Sequence, residues 1–496
     1  MRPTRKRSSS KTSAFAGRSR RPLRAALLAA PLVLLGAATA RPALADATCE
    51  AFSLSAATAA ADAAAGAEAL DAPGVQPSTP PRLDPALEAR EAIDGEIIRI
   101  PEGQRPSSSS RVGGEAILVL PKLPSGELAD QFKLGRDAEI VESFWSPVLC
   151  ATLVRIRGPR DAKPADLVPE VTPPAVVLPH SRYRTSASSI RPAPEVATKQ
   201  GVDPYRPLQI GLAQLGVMPA RGRSDGRGAK LALLDSAPDL SHRELSAVRL
   251  VPVGKGPPPS PALHGTLMAG VVAATENNAF GITGVAPGAE VIAIPVCSPV
   301  GDGTSDECDL FDILQGMDAA WQENASIVNL SLAGPPDPLL QRAVARLVEL
   351  DLVIVAAAGN AASSKPTYPA AYPGVVGVGA VDAMGEPFEQ GNHGPWVAIA
   401  GPGVEILSTT PNDSFAFVSG TSLAAAQLSG VLALLSSVVP DPPRMRLALL
   451  ATARGSLVSA SAATDAPTTA RAPLAPTVCS VLADLGQSCN PSGSNP

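Results

Sequence analysis

Aromatic side chains are scarce in this 496-residue chain, at 3% of residues, although apolar residues as a class reach 45%. With so few rings, a core has to be packed from Ala, Val and Leu. Basic charge is also scarce where a polyanion would need it. Ten of the 41 Lys and Arg lie in residues 1–45, which hold no Asp or Glu, so the formal net charge of −5 becomes −15 for the remainder. An acidic body lacks the basic face that phosphate binding requires, and nucleic acid is excluded as an expected partner. No two cysteines have the C-x-x-C spacing of common zinc sites. No second long apolar run follows the first, and no internal repeat is evident.

Proline and glycine are abundant, at 52 and 42 residues, which predicts long irregular stretches. The first 45 residues have the layout of an export signal. A basic stretch from Arg18 to Arg24 precedes an apolar run from Ala25 to Ala40, and Ala43-Leu44-Ala45 fits a small-residue cleavage site. About 16 apolar residues are short for a membrane span of roughly 20. The expected destination is therefore outside the cytoplasm, extracellular or periplasmic, after cleavage near Ala45; an uncleaved anchor is the alternative. Six cysteines suit an oxidising compartment. Their spacing favours two local loops, Cys297 with Cys308 and Cys479 with Cys489, leaving Cys49 for Cys150; buried free thiols are the alternative.

Composition and periodicity divide the chain into six parts. Residues 1–45 read as the signal peptide and 46–114 as an Ala/Pro/Ser-rich segment with one Ala-rich helix near 56–70. Residues 115–184 read as a small α+β domain, with a β-type run at Ala116–Leu120, a helix over Ser125–Leu134, and β-type runs within Ile140–Ile156 broken near Pro147. Residues 185–204 read as linker, 205–455 as the main domain, and 456–496 as a flexible C-terminal tail. In the main domain, short apolar runs at Leu231–Leu234, Val291–Val296, Ile327–Leu330, Leu352–Ala357 and Val375–Val378 have the character of strands buried on both faces. Helical segments fall between and after them, at His264–Thr275, Leu310–Trp321, Leu339–Leu350 and Ser422–Ser437. That alternation predicts an α/β fold with a parallel sheet and helices on both faces.

Four residues stand at the ends of these elements. Asp235 closes the first strand, at the edge where open α/β sheets place their ligands. His264 opens the helix H-G-T-L-M-A-G. Ser422 follows a Gly-Thr turn onto the first turn of an apolar helix, whose N–H groups can face a developing oxyanion. Asn360 ends V-I-V-A-A-A-G-N, where Gly359 allows a tight turn. Each alone reads at least as well as a cap, turn or structural residue. Together, Asp, His and Ser in that chain order form a nucleophile, base and orienting carboxylate.

With these stretches in place, the chain resembles the subtilases over roughly residues 205 to 452. The matching segments are L-L-D-S-A-P-D-L-S-H-R-E-L, H-G-T-L-M-A-G, G-I-T-G-V-A-P-G-A, I-V-N-L-S-L-A-G-P, A-A-A-G-N, Y-P-A-A-Y-P and S-G-T-S-L-A-A-A. The resemblance implies a seven-stranded parallel core and hydrolysis of polypeptides by an Asp235, His264, Ser422 triad, with Asn360 in the oxyanion hole. It implies that Ser331, Leu332, Ala333 and Gly334 pair with the substrate backbone, and that Tyr368-Pro369 is cis. Thr367 stands where relatives often have Gly, which implies a shallow pocket and a preference for small or medium apolar residues before the cut. No cofactor is required for the chemistry. Glu244 and Asn278, with Gln209 and the loop Glu276–Ile282, resemble a structural Ca²⁺ site. The 115–184 unit resembles the inhibitory prosegment of secreted subtilases, so the chain's own N-terminal segment is an expected partner, processing is expected between about Arg184 and Pro204, and the enzyme is expected to be a monomer.

Ala237, Leu267, Ala426 and Gln427 depart from the family pattern, but none replaces a group that moves a proton. Two other readings compete. A pseudoprotease would keep the fold and bind peptides without cutting. A serine esterase would share the triad, but no G-x-S-x-G elbow surrounds Ser422.

Overall fold

The computed structural model describes residues 110–120, 132–171, 175–185, 188–196, 201–254, 259–301, 303–463 and 472–489. The signal segment, nearly all of the Ala/Pro/Ser-rich segment with its Ala-rich helix, Cys49, and residues 125–131 of the expected Ser125–Leu134 helix lie outside them. Residues 132–134 are described, and there Lys133 forms a bridge with Glu170 rather than a helix.

The N-terminal unit holds strands β1 (Arg111–Leu120), β2 (Glu139–Ser146), β3 (Ala151–Arg157) and β4 (Val176–Arg184). All pair antiparallel in the order β2-β3-β1-β4. Alternation sends Ala116, Leu118, Val154 and Ile156 into a small core closed by Leu167 and Val168. The first strand begins at Arg111, four residues ahead of the expected boundary. A fifth strand, β5 (Ser188–Pro192), lies in the stretch read as linker. Its single large apolar residue, Ile190, is 38% exposed, so hydropathy carried no signal for it.

The body is the expected α/β layer structure. In chain order come β6 (Lys230–Asp235), β7 (Val248–Leu250), β8 (Glu290–Pro295), β9 (Cys297–Val300), β10 (Ser305–Asp309), β11 (Ile327–Leu330), β12 (Val353–Ala357), β13 (Val376–Val381), β14 (Ile399–Pro402), β15 (Ile406–Thr410) and β16 (Ser414–Ser419). Seven of them form the central sheet β14-β13-β12-β11-β6-β8-β7, parallel throughout.

A period of two sorts each strand between two cores. Leu231, Leu233, Val291, Val353 and Val355 enter one. Ala232, Leu234, Ile292, Val328 and Ile354 enter the other. The first core is covered by α1 (Leu263–Ala273) and α4 (Thr421–Ser436), the second by α2 (Leu310–Gln322) and α3 (Pro338–Glu349). Helix α1 is buried from His264 to Ala273, and Gly265 makes that possible. A Cβ there would lie 1.9 Å from the Ser236 carbonyl oxygen. Helix α3 is amphipathic, burying Leu339, Leu340, Ala343, Val344 and Leu347, and the Asp337 carboxylate caps it by accepting from Leu339 N at 2.9 Å.

The hairpin β9–β10 joins the two parts. It pairs with β4, so the N-terminal sheet runs on as β2-β3-β1-β4-β10-β9, and the disulfide Cys297–Cys308 ties its two strands. β5 pairs with β16 beside β15.

The C-terminal stretch is a correction to the expected flexible tail, because 472–489 is packed. After α5 (Pro442–Ala463), residues 473–475 add to the sheet edge, with Ala475 N donating to Ala400 O at 2.7 Å. Helix α6 (Val478–Asp484) follows, capped by Thr477. It buries Val478, Val481, Leu482 and Leu485, a helical i, i+3, i+4, i+7 set that the surrounding Ala, Thr and Pro had masked. Cys479–Cys489 closes this end. Cys150 is oxidised as well, its partner lying outside the described residues. Among the described residues no helix is long and apolar enough to cross a membrane.

Candidate active site

The carboxyl edge of the sheet collects the residues picked out by sequence. Asp235 is the last residue of β6 and is 2% exposed; His264 is the second residue of α1 and 1% exposed. His264 Nδ1 donates to Asp235 at 2.8 Å from Oδ1 and 3.0 Å from Oδ2. The carboxylate is steadied in turn, because Ser236 N donates to Oδ1 at 2.8 Å. The Ser236 hydroxyl meanwhile accepts from Gly265 N at 3.0 Å, tying the strand end to the helix start. Burial alone would push the His264 pKa down, but the Asp235 charge and hydrogen bond, with a further contribution from Asp306, outweigh it and hold the imidazolium form above its usual range. Nε2 of the ring is buried and makes no hydrogen bond.

Ser422 enters the same edge on the first turn of α4 and is 3% exposed. Its hydroxyl donates to the Ser331 carbonyl at 3.3 Å, not to the imidazole. The Ser331 hydroxyl returns a bond to Ser422 O at 3.2 Å and is itself held by Asn329 Nδ2 at 2.9 Å. Ser429 Oγ donates to Asn329 Oδ1, so a buried polar chain locks the end of β11 to α4. Asn360, after β12, accepts at Oδ1 from Thr421 N at 3.0 Å and from Thr421 Oγ1 at 2.9 Å. That contact fixes the amide plane and turns its nitrogen to the side away from Thr421.

The edge 331–334 is engaged within the chain itself. Ala333 exchanges two backbone hydrogen bonds with Arg184 of β4, at 2.9 and 3.0 Å, and Gly334 exchanges two with Tyr368. Leu332 is buried in the second core. Thr367 Oγ1 donates to Ala358 O at 2.6 Å, so its methyl-bearing carbon is fixed beside the Asn360 turn. The Tyr368-Pro369 peptide is cis.

The expected metal set lies elsewhere, at Glu244, Asn278 and Gln209. Both Glu244 oxygens already accept from protein, Oε1 from Ile282 N at 2.9 Å and Oε2 from Asn278 Nδ2 at 3.0 Å. Asn278 Oδ1 accepts from Phe280 N, and Gln209 Oε1 from Thr283 N. Asp203 accepts from Asn277 N, Asn278 N and Thr283 Oγ1. Asn278 thus presents its NH₂ to the carboxylate, and this donor set does not fit Ca²⁺, which needs oxygens turned inward. These hydrogen bonds close the loop, and burial pushes the Glu244 carboxyl up to about 8.

One residue of the cleft escaped the sequence reading. Asp306, in β10, is 0% exposed, and its oxygens make no hydrogen bond of good geometry. Asp235, His264 and Asp306 each bring a ligand-type atom within 4.8 Å of the others. The hydroxyls of Ser236 and Thr185 are the other polar groups facing it. The acidic run Asp306-Glu307 just before Cys308 was the available signal, but a run of charge inside a disulfide loop reads as ordinary surface.

A family model described as the subtilase family matches residues 226–472. Thermitase of Thermoactinomyces vulgaris is 34% identical over 258 residues, covering 51% of this chain and 90% of that protein. The thermophilic serine proteinase of Bacillus sp. (strain AK1) is 36% identical over 235 residues, 46% of this chain and 56% of its own length. Subtilisin E of Bacillus subtilis (strain 168) is 35% identical over 223 residues, 43% and 57% respectively. The chain therefore spans little more than half the length of two of these relatives and most of the third.

Proposed function

The chain belongs to the subtilase family, and from that membership we propose that it is a secreted serine endopeptidase that makes and hydrolyses an acyl-enzyme at Ser422. The observation that carries the reading is the buried Asp235–His264 pair, 2.8 Å apart, with the far ring nitrogen left unengaged. Asp235 holds the tautomer with the proton on Nδ1, so Nε2 is the basic atom. For the reaction the Ser422 hydroxyl must leave the Ser331 carbonyl and turn toward Nε2. Its proton then passes to Nε2 as Oγ attacks the peptide carbonyl, and His264 returns that proton to the leaving amine. The oxyanion is met by Ser422 N at the start of α4 and by the Asn360 amide nitrogen. Because His264 must be neutral to act as base, activity should rise with pH through its raised pKa.

The N-terminal unit is read as the enzyme's own inhibitory segment. β4 runs between β10 and Ala333, along the edge a substrate backbone would use, and Thr185 N continues the pairing onto Asp306 O at 3.1 Å. Processing between about Arg184 and Pro204 would free that edge. The disulfides fit an oxidising compartment, hence secretion.

A fluorophosphonate probe tests this directly. It should label the secreted protein at Ser422, and Ser422→Ala should lose both labelling and about 10⁴-fold or more of casein hydrolysis. A folded protein that neither labels nor cleaves would leave a peptide-binding pseudoprotease. Labelling with ester but no peptide hydrolysis would make it an esterase.

A further inference from the structure

Strand β10 reads Ser-Asp-Glu-Cys-Asp, three carboxylates in five residues along one wall of the cleft. Residues 182–184 of β4 run antiparallel to 307–309, and Arg184 bonds through both backbone groups to Ala333 on the opposite wall. A single extended segment therefore fills a slot between two strand edges. Side chains two apart on a strand share a face, so Arg182 and Arg184 project together. Both meet the same carboxylate. Arg184 Nη2 is 2.6 Å from Glu307 Oε1, Arg182 Nη1 is 3.1 Å from Oε2, and Arg182 Nε is 3.7 Å from Asp309. Tyr183 points the other way, fully buried where Gly334 leaves room for its ring, its hydroxyl donating to Pro335 O.

We propose that β10, through Glu307, selects polypeptide segments with Arg or Lys on the two residues that flank the buried one, an inference that rests on the peptidase reading above. Asp309 is shared with Arg155 of β3, whereas the described ion pairs of Glu307 are with Arg182 and Arg184 alone. When β4 leaves, Glu307 stays behind at the cleft edge, and a basic replacement restores the pairs that a neutral one does not. The wall is preformed, since β9 and the Cys297–Cys308 bridge hold β10 in place, and binding has little ordering cost to meet there. The Arg184 side chain is 65% exposed, which limits the selectivity to about threefold to tenfold.

Two fluorogenic peptides decide the matter on the secreted enzyme. One copies residues 182–191, Arg-Tyr-Arg-Thr-Ser-Ala-Ser-Ser-Ile-Arg. The other has Gln at its first and third positions. The Arg peptide should have the higher kcat/KM by about threefold to tenfold at low salt, with the advantage shrinking at about 0.5 M NaCl. Glu307→Gln should erase the difference, and Glu307→Arg should favour a peptide with Glu at the two positions. Equal kcat/KM for both peptides on the unaltered enzyme, or a difference that survives Glu307→Gln, overturns the proposal. Absence of all cleavage and of Ser422 labelling defeats the peptidase reading instead. In that event hydrogen exchange of the uncleaved Ser422→Ala chain carries the proposal, because Glu307→Gln should speed exchange at 182–184 by a similar factor. Unchanged exchange would then overturn it.

Discussion

The body and the seam that joins it to the N-terminal unit are held by different physics. The body closes around two apolar cores, one on each face of a parallel sheet, built from Ala, Val, Leu and Ile. The seam buries carboxylates. Asp318 accepts from Ser146 Oγ and Val148 N, both at 3.0 Å, and Asp337 accepts from Ser181 Oγ at 2.7 Å. Arg155 reaches Asp309 at 3.0 Å, and Glu142 takes a bond from Gln315. Apolar contact is present at the seam too, with Phe144 edge-on to Phe311 at 5.0 Å. Burying apolar surface is indifferent to pH, whereas a buried carboxylate is not. A body of the first kind persists under conditions that loosen a seam of the second.

The largest effect expected on the body side comes from Leu428→Ala. Leu428 is fully buried in α4 within the first core. Truncation should cost about 2–5 kcal/mol, as transfer and cavity terms add. The measurement is the denaturant midpoint of the Ser422→Ala chain at pH 6 and at pH 8, with an equal loss at both. A loss confined to one pH would break the contrast.

On the seam side the decisive residue is Asp318. Burial pushes its carboxyl up to about 7, against the hydrogen bonds from Val148 and Ser146, which pull it down. Its pKa is raised in the docked state, so docking takes up a proton. That stabilisation is full below the ordinary carboxylate range and is lost as pH rises through about 7. In the Ser422→Ala chain, hydrogen-exchange protection of the Val148 amide, corrected for the intrinsic rate, should fall roughly tenfold between pH 6 and pH 8. Asp318→Asn keeps the acceptor oxygen and removes the charge, so protection should stay level. A fall of the same size in that variant would assign the titration to another group. Asp312, raised to about 6 by burial, is the next one to change.

The same contrast explains what could be read from the sequence. The paired cores announce themselves as apolar runs, and Ile327–Leu330 was delimited to the residue because both its faces are buried. Asp235, His264, Ser422 and Asn360 were legible because each terminates or opens such a run. The polar devices were not. β5 has nothing apolar to bury, and β10 is an acidic segment whose place is set by pairing with a strand more than a hundred residues earlier. Asp306 belongs to the cleft only through that pairing. Helix α6 was missed for a different reason, since four buried positions were diluted by the Ala/Thr/Pro stretch before them.

The contrast would blur if the body held a titrating carboxylate of its own, and Glu244 is one. It is fully buried, its carboxyl is raised to about 8 chiefly by desolvation, and the Asp203 charge raises it further. The sign is that of Asp318: folding favours the protonated form, so the stabilisation is complete below about pH 4.5 and fades as pH climbs through 8. The rise is no smaller than that of Asp318, since the backbone and amide donors from Ile282 and Asn278 offset only part of the cost of burial. In Glu244→Gln the thermal midpoint should change less between pH 5 and pH 8 than in the parent, even if the variant is less stable throughout. Since the Asn278 NH₂ donates to the carboxylate, 1 mM EDTA should leave the parent midpoint where it was. A midpoint that drops with chelator and returns with Ca²⁺ would mean that the loop reorganises to turn its oxygens inward. The buried charge of the body would then be balanced by a metal and not by a proton.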